Sequence, residues 1–314
     1  MAETSGSGGG TLSSGVRILP PLAAALAAGE PVVALESSVL AQGLPIPSNR
    51  EAAGRMMRAV ERAGATPAVT AVVRGRATLG LEDEELERFL ARDGVRKVSS
   101  RDLAVAMAQN ADGATTVAAS IRIASATGTD VFATGGIGGV HRGAPYDESG
   151  DLVELASTPM VVVCAGAKSI LDLPATLERL ETLGVAVIGY RTDELPGFFT
   201  RTTGLALTAR ADTPEEIAAI FLAARSLRRR QATLVVQPPP EDVALPTALV
   251  DAAVNTALEE AHRAGVSGAA TTPFLLRAVL GATEGRSLLA NLGLLEANAF
   301  LAGQIAVALA AHRG

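Results

Sequence analysis

The chain has 314 residues, of which 48% are hydrophobic and 19% are charged, a composition typical of a folded globular protein and not of a disordered one. Its net charge of −6 provides no general basic surface for a nucleic acid polymer. The single cysteine, Cys164, excludes an intrachain disulfide and a cysteine-based zinc site, and no uninterrupted apolar stretch predicts a membrane span.

The chain begins with "MAETSGSGGGTLSSG", which lacks the basic and apolar segments of a signal peptide. We therefore predict a flexible tail over residues 1–15, a single domain over residues 16–314 and a cytoplasmic protein without membrane attachment. A strand is predicted next in "PVVALESSV". A helix is then predicted from Ser48, because Ser48 and Glu51 have the spacing of a capping box.

Short apolar strands and amphipathic helices alternate along most of the remaining chain. Further strands are predicted in "AVTAVVRGRATLG" (two strands), "VRKVSS", "DVFATGGIGGV", "MVVVCAGA", "VAVIGY" and "ATLVVQPPP". The last two are separated by a helix that Thr213 caps, and helices fill the chain from Pro246 onward. This pattern predicts an α/β protein, an α/β/α sandwich with a mostly parallel sheet and a helical C-terminal third. A closed (β/α)8 barrel fits that helical third poorly.

Lysine occupies only two positions, Lys97 and Lys168, whereas every other one of the 27 basic residues is an arginine. Arginine stays protonated, but a desolvated lysine can lose its proton and attack a carbonyl carbon. Lys168 follows an apolar strand, so its amine is a candidate nucleophile. The alternative is chance use of lysine on a solvated surface.

Parallel strands bring their carboxyl ends to one edge of a sheet, where α/β proteins bind their ligands. Residues with reactive groups follow four of the predicted strands: Glu36, Lys97, the glycine-rich loop 135–139 and Lys168. At Glu36 a carboxyl group would be desolvated, which raises its pKa and suits a general acid. A structural carboxylate is the alternative.

The loop "TGGIGGVHRG" lacks the third glycine of a Rossmann fingerprint and the Gly-Lys-Ser/Thr of a Walker A loop, and no clear helix is predicted directly after it. Its N–H groups could cradle a phosphate, or its glycines could only allow close packing. His141 is either a ligand or base, or a polar turn residue. The acidic group Asp147, Glu148 and Asp151 indicates either a site for a hard cation or a solvated turn.

Several segments together resemble one known family. They are "ALESSVLAQGLPIP", "VRKVSSRDL", "GATTVAAS", "FATGGIGGVHRGA", "VVVCAGAKSILDLPATLERLETLGVAVIGYRTDELPGFF", "TPFLL" and "SLLANLGLLEANA". The resemblance is to the pseudouridine-5′-phosphate glycosidases, which include indigoidine synthase A-like proteins, and it covers residues 32–311. It implies an α/β/α fold, a homotrimer, one divalent metal per subunit (usually Mn²⁺) and an enzyme classed with the carbon–oxygen lyases.

The resemblance also implies roles for individual residues. Lys168 matches the nucleophile, Glu36 the proton donor and Asp147 the metal-associated aspartate, although Asp151 remains an alternative for facing the metal. The residues implied in substrate binding are Lys97, Val117, Ser149, Gly150, Asp151 and Asn291.

The implied reaction is reversible cleavage of pseudouridine 5′-phosphate to uracil and ribose 5-phosphate, with a pseudouridine kinase as the expected supplier of substrate. The bond that breaks joins two carbon atoms, so there is no oxygen leaving atom for an acid to protonate. Carbon is also a poor leaving group. If Glu36 protonates the ring oxygen, Lys168 can capture C1′ as an imine, which is an electron sink that releases the base. The alternatives are a Schiff-base sugar-phosphate lyase of the aldolase type and a non-catalytic sugar-phosphate binding protein.

Overall fold

The structure is a computed structural model that describes residues 15–143, 146–266 and 271–312. The predicted tail lies outside the described residues except for Gly15. The elements that follow are therefore those of the described part of the chain.

The core of the fold is a mixed sheet of eleven strands. Its strands are β1 (Arg17–Ile18), β2 (Val32–Glu36), β3 (Thr66–Val73), β4 (Arg76–Leu79), β5 (Val95–Val98), β6 (Asp112–Thr115), β7 (Val131–Ala133), β9 (Val161–Cys164), β11 (Ala186–Tyr190), β12 (Ala209–Ala211) and β13 (Thr233–Val236). A separate two-stranded antiparallel ribbon joins β8 (Val140–His141) to β10 (Leu171–Asp172).

Seven neighbouring strands run parallel in the order β3-β2-β7-β9-β13-β11-β12. The order has two ends, so the sheet is open and not a barrel. The strands β4 and β6 pair antiparallel with β3, while β1 and β5 follow them in parallel, so these four strands run in the opposite direction. The prediction of a mostly parallel sheet is confirmed.

Helices cover the sheet and extend the C-terminal third. They are α1 (Pro20–Ala27), α2 (Ser48–Arg62), α3 (Asp83–Ala91), α4 (Leu103–Ala108), α5 (Val117–Ala126), α6 (Gly150–Ser157), α7 (Leu173–Thr182), α8 (Pro214–Ser226), α9 (Thr247–Arg263), α10 (Thr271–Ala282) and α11 (Arg286–Ala311). A π-helical turn, Val39–Gly43, precedes α2, and a 3₁₀ turn, Ser100–Asp102, precedes α4. The predicted helical C-terminal third is confirmed as α9, α10 and α11.

The long helix α11 is the central helix of the hydrophobic core. It packs against α2, α8 and the strands β2, β7 and β9. By length and composition α11 could cross a membrane, but 61% of its most apolar window is buried inside the protein. Its apolar composition is therefore that of a core helix, which is apolar all round because it packs on several sides.

Two helices begin where the sequence predicted an N-cap, and the structure confirms one of the two caps. Thr213 caps α8 as predicted, since its hydroxyl accepts from the Glu216 N–H while the Glu216 carboxylate accepts from the Thr213 N–H. The capping box predicted at Ser48 and Glu51 is wrong. Pro47 is the N-cap residue and Ser48 is already helical, so its hydroxyl is not placed to cap the helix.

Candidate active site

The strands β2, β7 and β9 end at a pocket of about 600 Å³, a size typical of small-molecule sites. The strand β3 is longer than β2. Its residues 66–70 pair with β2, and beyond the end of β2 its residues Ala71 and Val72 pair with β6. The strands β5 and β6 therefore form a wall of the pocket above the end of β2.

Glu36 is the last residue of β2 and is 5% exposed. One carboxylate oxygen accepts from the Thr134 hydroxyl at 2.5 Å and the other from the Ser38 hydroxyl at 2.8 Å. Burial raises the pKa of Glu36, and the charge of Asp151 adds to this, while Lys168 and the two hydroxyl bonds oppose it. A proton is therefore held at Glu36 to higher pH than at an exposed glutamate.

Lys168 lies on the loop after β9, and its ammonium donates to the Gly136 carbonyl at 2.6 Å. Glu36 and Lys168 both line the pocket, and the charge of Lys168 opposes the rise that burial causes in the pKa of Glu36. The roles assigned to this acid and this lysine stay predictions.

Lys97 also lines the pocket, but the strand that carries it runs in a direction that the sequence did not predict. The predicted strand that carries Lys97 is present, but the expectation that Lys97 follows the end of a parallel strand is wrong. Lys97 lies within β5, which runs against the seven parallel strands and forms the pocket wall. Desolvation lowers the pKa of Lys97, and the charge of Lys168 lowers it further, while Glu36 and Asp151 raise it. Both amines line the same pocket.

The glycine-rich loop pairs with the loop that carries Lys168. The N–H of Ile137 donates to the Gly166 carbonyl at 3.1 Å, and the N–H of Lys168 donates to the Ile137 carbonyl at 3.1 Å. A side chain at Gly136 would lie 2.6 Å from the ring of Phe198. Close packing, one of the two alternatives for this loop, is therefore what its glycines provide.

Asp151 joins three parts of the site and is 6% exposed. One carboxylate oxygen accepts from the Ala118 N–H in the first turn of α5 at 2.9 Å, and the other from the Gly138 N–H at 2.8 Å. Asp151 itself lies in the first turn of α6, where Ser149 is the N-cap residue. The helix α6 was not predicted, and at Asp151 the solvated-turn alternative is wrong.

The N-termini of α5 and α6 both face the pocket. Val117 is the first residue of α5 and is 1% exposed, and Gly150 is the first residue of α6. Both line the pocket, as do Ser149 and the N-cap residue Thr116, whose buried hydroxyl has no partner in the described structure. One N–H in the first turn of α5 already donates to Asp151, but the N–H groups of Val117 and Gly150 have no intrahelical acceptor and can donate to an anion in this corner of the pocket.

Asp147 and Glu148 are the accessible carboxylates of the acidic segment, with 46% and 31% of their side chains exposed, and Glu148 forms an ion pair with Arg179. The Oδ1 of Asp147 lies 3.2 Å from Nδ1 of His141, and the backbone carbonyl of Asp147 is equally distant from that nitrogen. No three acidic, histidine or cysteine side chains of the described residues group as a metal site. A divalent cation here would be held by one carboxylate and water, which fits a hard, strongly hydrated ion.

Asn291 of α11 completes the pocket on the side of the C-terminal third. It is 9% exposed, and its buried side-chain oxygen has no hydrogen-bond donor among the described residues. An unpaired buried acceptor costs about 1–3 kcal/mol unless a ligand donates to it. Asn291 is therefore a candidate for recognition of an N–H or O–H group.

The family model for indigoidine synthase A-like proteins matches residues 21–308 of the chain. The chain belongs to this family. Among its relatives, a pseudouridine-5′-phosphate glycosidase of Gemmatimonas aurantiaca is 67% identical over 91% of this chain and 93% of its own length. One of Herpetosiphon aurantiacus, with the same name, is 50% identical over 93% and 97%.

Two solved structures have a similar fold. The prealnumycin C-glycosynthase AlnA in complex with ribulose 5-phosphate has a TM-score of 0.88 and 39% identity, covering 95% of this chain and 98% of its own. An indigoidine synthase A-like protein of Thermotoga maritima has a TM-score of 0.84 and 38% identity, covering 90% and 94%. The predicted α/β/α fold class is thereby confirmed.

The structure brings every residue of the predicted site to this one pocket. The lining residues include Glu36, Lys97, Val117, Asp147, Ser149, Gly150, Asp151, Lys168 and Asn291. Sequence reasoning missed Thr134, the hydroxyl that contacts Glu36, and Phe198, which packs on Gly136. It also missed Asn298, whose amide donates to the Thr134 carbonyl at 2.9 Å. A polar residue within an apolar helix was the available signal for Asn298.

Proposed function

We propose that the chain is a pseudouridine-5′-phosphate glycosidase that cleaves the C1′–C5 bond of its substrate through an imine on Lys168. Family membership and the 67% identical relative of that name support the reaction class. The observation that carries the mechanism is the convergence of Lys168 and the buried Glu36, whose pKa burial raises, beside two helix N-termini.

The phosphate of the substrate would bind between the N-termini of α5 and α6. Val117 and Gly150 supply N–H groups there, and the positive ends of the two helix dipoles add to their attraction. Lys97 provides the positive charge of this subsite. With its lowered pKa, Lys97 would lose that charge at a lower pH than an ordinary lysine.

Glu36 would start the reaction by giving its proton to the ring oxygen O4′ as the C1′–O4′ bond breaks. A neutral carboxyl group is required for this step, and burial favours that form by raising the pKa of Glu36. Thr134 and Ser38 donate to its two oxygens and would stabilise the carboxylate that remains.

The neutral amine of Lys168 would then bond to C1′ of the opened sugar. The Glu36 carboxylate would take the proton that the attacking nitrogen releases and deliver it to uracil C5. The C1′–C5 bond then breaks with its electron pair returning to the base, while the nitrogen lone pair forms C1′=N. Water attacks the resulting imine, which releases ribose 5-phosphate and restores the lysine. The Gly136 carbonyl, 2.6 Å from the Lys168 side-chain nitrogen, holds the side chain for this step.

We assign a divalent cation, Mn²⁺ in the first instance, to Asp147 and surrounding water, as one carboxylate on the pocket wall allows. When bound, the cation would supply positive charge near the sugar and base. His141 keeps Asp147 oriented through the contact at 3.2 Å. With both Asp151 oxygens held by backbone N–H groups, Asp147 is the aspartate that we place toward the cation.

The family resemblance also implies a homotrimeric assembly, a cytoplasmic location and a preceding pseudouridine kinase reaction. We propose all three for this protein. The first is tested by light scattering of the purified protein in solution.

Release of uracil tests the function directly. Wild-type protein incubated with pseudouridine 5′-phosphate and Mn²⁺ is expected to release uracil and ribose 5-phosphate in equal amounts, and Lys168→Arg is expected to release almost none because arginine cannot form the imine. Lys168→Arg should still bind ribose 5-phosphate within a few-fold of wild type. Absence of uracil release in the wild type, with ribose 5-phosphate binding intact, would favour a binding protein. Cleavage of a ketose or deoxyribose phosphate instead would favour an aldolase-type lyase.

A further inference from the structure

Arg142, within the "HRG" sequence, does not line the pocket but binds the turn that follows Lys168. Its Nε donates to the Leu171 carbonyl at 3.0 Å, and its Nη2 donates to the Ser169 carbonyl at 3.1 Å. Within the described residues no carboxylate lies at ion-pair distance from its guanidinium. The planar group of Arg142 is therefore committed to two backbone acceptors of one turn.

That turn begins at Lys168, whose amine is the proposed nucleophile. The N–H of Leu171 donates to the Lys168 carbonyl at 2.9 Å, which closes the turn over residues 168–171. With the Lys168 N–H bonded to Ile137, the backbone of Lys168 is held from the glycine-rich loop on one side and from the Arg142 side on the other.

The same arginine links Lys168 to the segment of Asp147. Arg142 directly follows β8, which pairs with β10 through Leu171 opposite His141. The N–H of His141 donates to the Asp147 carbonyl at 3.0 Å. A shift of the Arg142 guanidinium would therefore move the lysine turn relative to the Asp147 segment.

We infer that Arg142 is a positioning residue that sets the place of the Lys168 amine without touching the substrate. This inference rests on the proposed function, in which that amine bonds to C1′. A displacement of about 1 Å at a reacting group can cost about a hundredfold in rate. Loss of the two hydrogen bonds should therefore lower kcat and leave the phosphate subsite, and hence KM, nearly unchanged.

The test compares Arg142→Ala and Arg142→Lys with Arg191→Ala as the matched control. Arg191 also donates to a backbone carbonyl, that of Asp212 at 3.0 Å, and lies outside the pocket. We expect Arg142→Ala to lower kcat and the rate of borohydride trapping on Lys168 by about tenfold or more, with KM within about twofold. We expect Arg142→Lys to be intermediate, low-millimolar guanidinium to restore part of the rate of Arg142→Ala, and Arg191→Ala to match the wild type.

Unchanged kcat and trapping in Arg142→Ala would overturn the inference. So would an equal loss in both Arg142 variants that accompanies a loss of cooperative unfolding and does not respond to guanidinium, because the arginine would then serve the fold alone. If the wild type itself releases no uracil, the proposed function fails separately. Pyridoxal 5′-phosphate, an aldehyde that forms an imine with lysine, then reports the same positioning, and equal rates of Lys168 modification in wild type and Arg142→Ala would contradict it.

Discussion

The surroundings of Glu36 act in opposite directions on its pKa. Burial favours the neutral carboxyl group, whereas Lys168 and the hydroxyls of Thr134 and Ser38 favour the carboxylate. Since burial is the largest effect, the pKa is raised, and the group is suited to donate a proton and then to remain stable as an anion.

Replacing Glu36 by Gln tests this balance through activity. We expect kcat to fall roughly a hundred- to ten-thousand-fold, the range for loss of a general acid, because glutamine cannot donate the proton to O4′. Wild-type kcat should fall as the pH rises through the raised pKa of Glu36. The control is Glu154→Gln, at a glutamate that is 5% exposed and does not line the pocket, and it should keep the wild-type rate.

The same substitution tests the balance through stability. A raised folded pKa means that the native state holds the Glu36 proton more tightly than the unfolded chain. Its contribution to stability is therefore present below the ordinary glutamate pKa and is lost as the pH rises through the folded pKa. The melting temperature of Glu36→Gln relative to wild type should increase over that pH range. A difference that is independent of pH would contradict the assignment.

At the scale of elements, Asp151 ties α5, α6 and the glycine-rich loop into one unit. Its two oxygens accept from the N–H groups of Ala118 and Gly138. These N–H groups would lose their acceptor in Asp151→Ala, at a cost of about 1–3 kcal/mol in the free energy of unfolding. The KM for the phosphorylated substrate should rise as well, because both helix N-termini would shift.

Asp147→Ala is the matched control for stability, since that side chain is nearly half exposed. Urea unfolding should show a lower midpoint for Asp151→Ala and almost none of this change for Asp147→Ala. Equal midpoints for wild type and Asp151→Ala would show that water replaces the two acceptors and that Asp151 does not organise the site.

Several elements could be predicted from sequence and others could not, for physical reasons. The apolar run ending at Cys164 is buried on both faces and reads as a strand, whereas α6 is short and its first turn, "GDL", has no distinctive periodicity. Cys164 itself is a fully buried thiol, and burial raises its pKa to about 12, consistent with a small core residue. The direction of β5 depends on pairing with β6, a contact that local sequence does not encode.

The sequence also provides a reason to expect two of the candidate residues in one place. Glu36 and Lys168 each follow a recognisable strand, so the common edge of the sheet could be expected to bring them together. The roles of Arg142 and Thr134 depend on contacts between residues 29 and 98 positions apart, which no local pattern contains.

For the whole molecule, Asn298 couples the C-terminal third to the catalytic loops. Its amide donates to the Thr134 carbonyl at 2.9 Å, and its side-chain oxygen accepts from Gln237 at 2.9 Å. Asn298→Ala should lower the free energy of unfolding by about 1–3 kcal/mol because these buried groups lose their partners. It should also lower kcat, since the Thr134 hydroxyl contacts Glu36. The exposed Asn255→Ala on α9 is the control in denaturant unfolding, and equal effects of the two substitutions would contradict the coupling.

The proposed mechanism requires a bond between Lys168 and C1′ of the sugar, and borohydride trapping detects that bond. The protein is incubated with ribose 5-phosphate and Mn²⁺, reduced with borohydride, digested and examined by mass spectrometry. We predict that the reduced sugar phosphate is attached to Lys168 and that Lys168→Arg carries none. Attachment to Lys97 in place of Lys168 would reverse the roles of the two lysines. Uracil release by the wild type without an adduct on either lysine would contradict the imine mechanism.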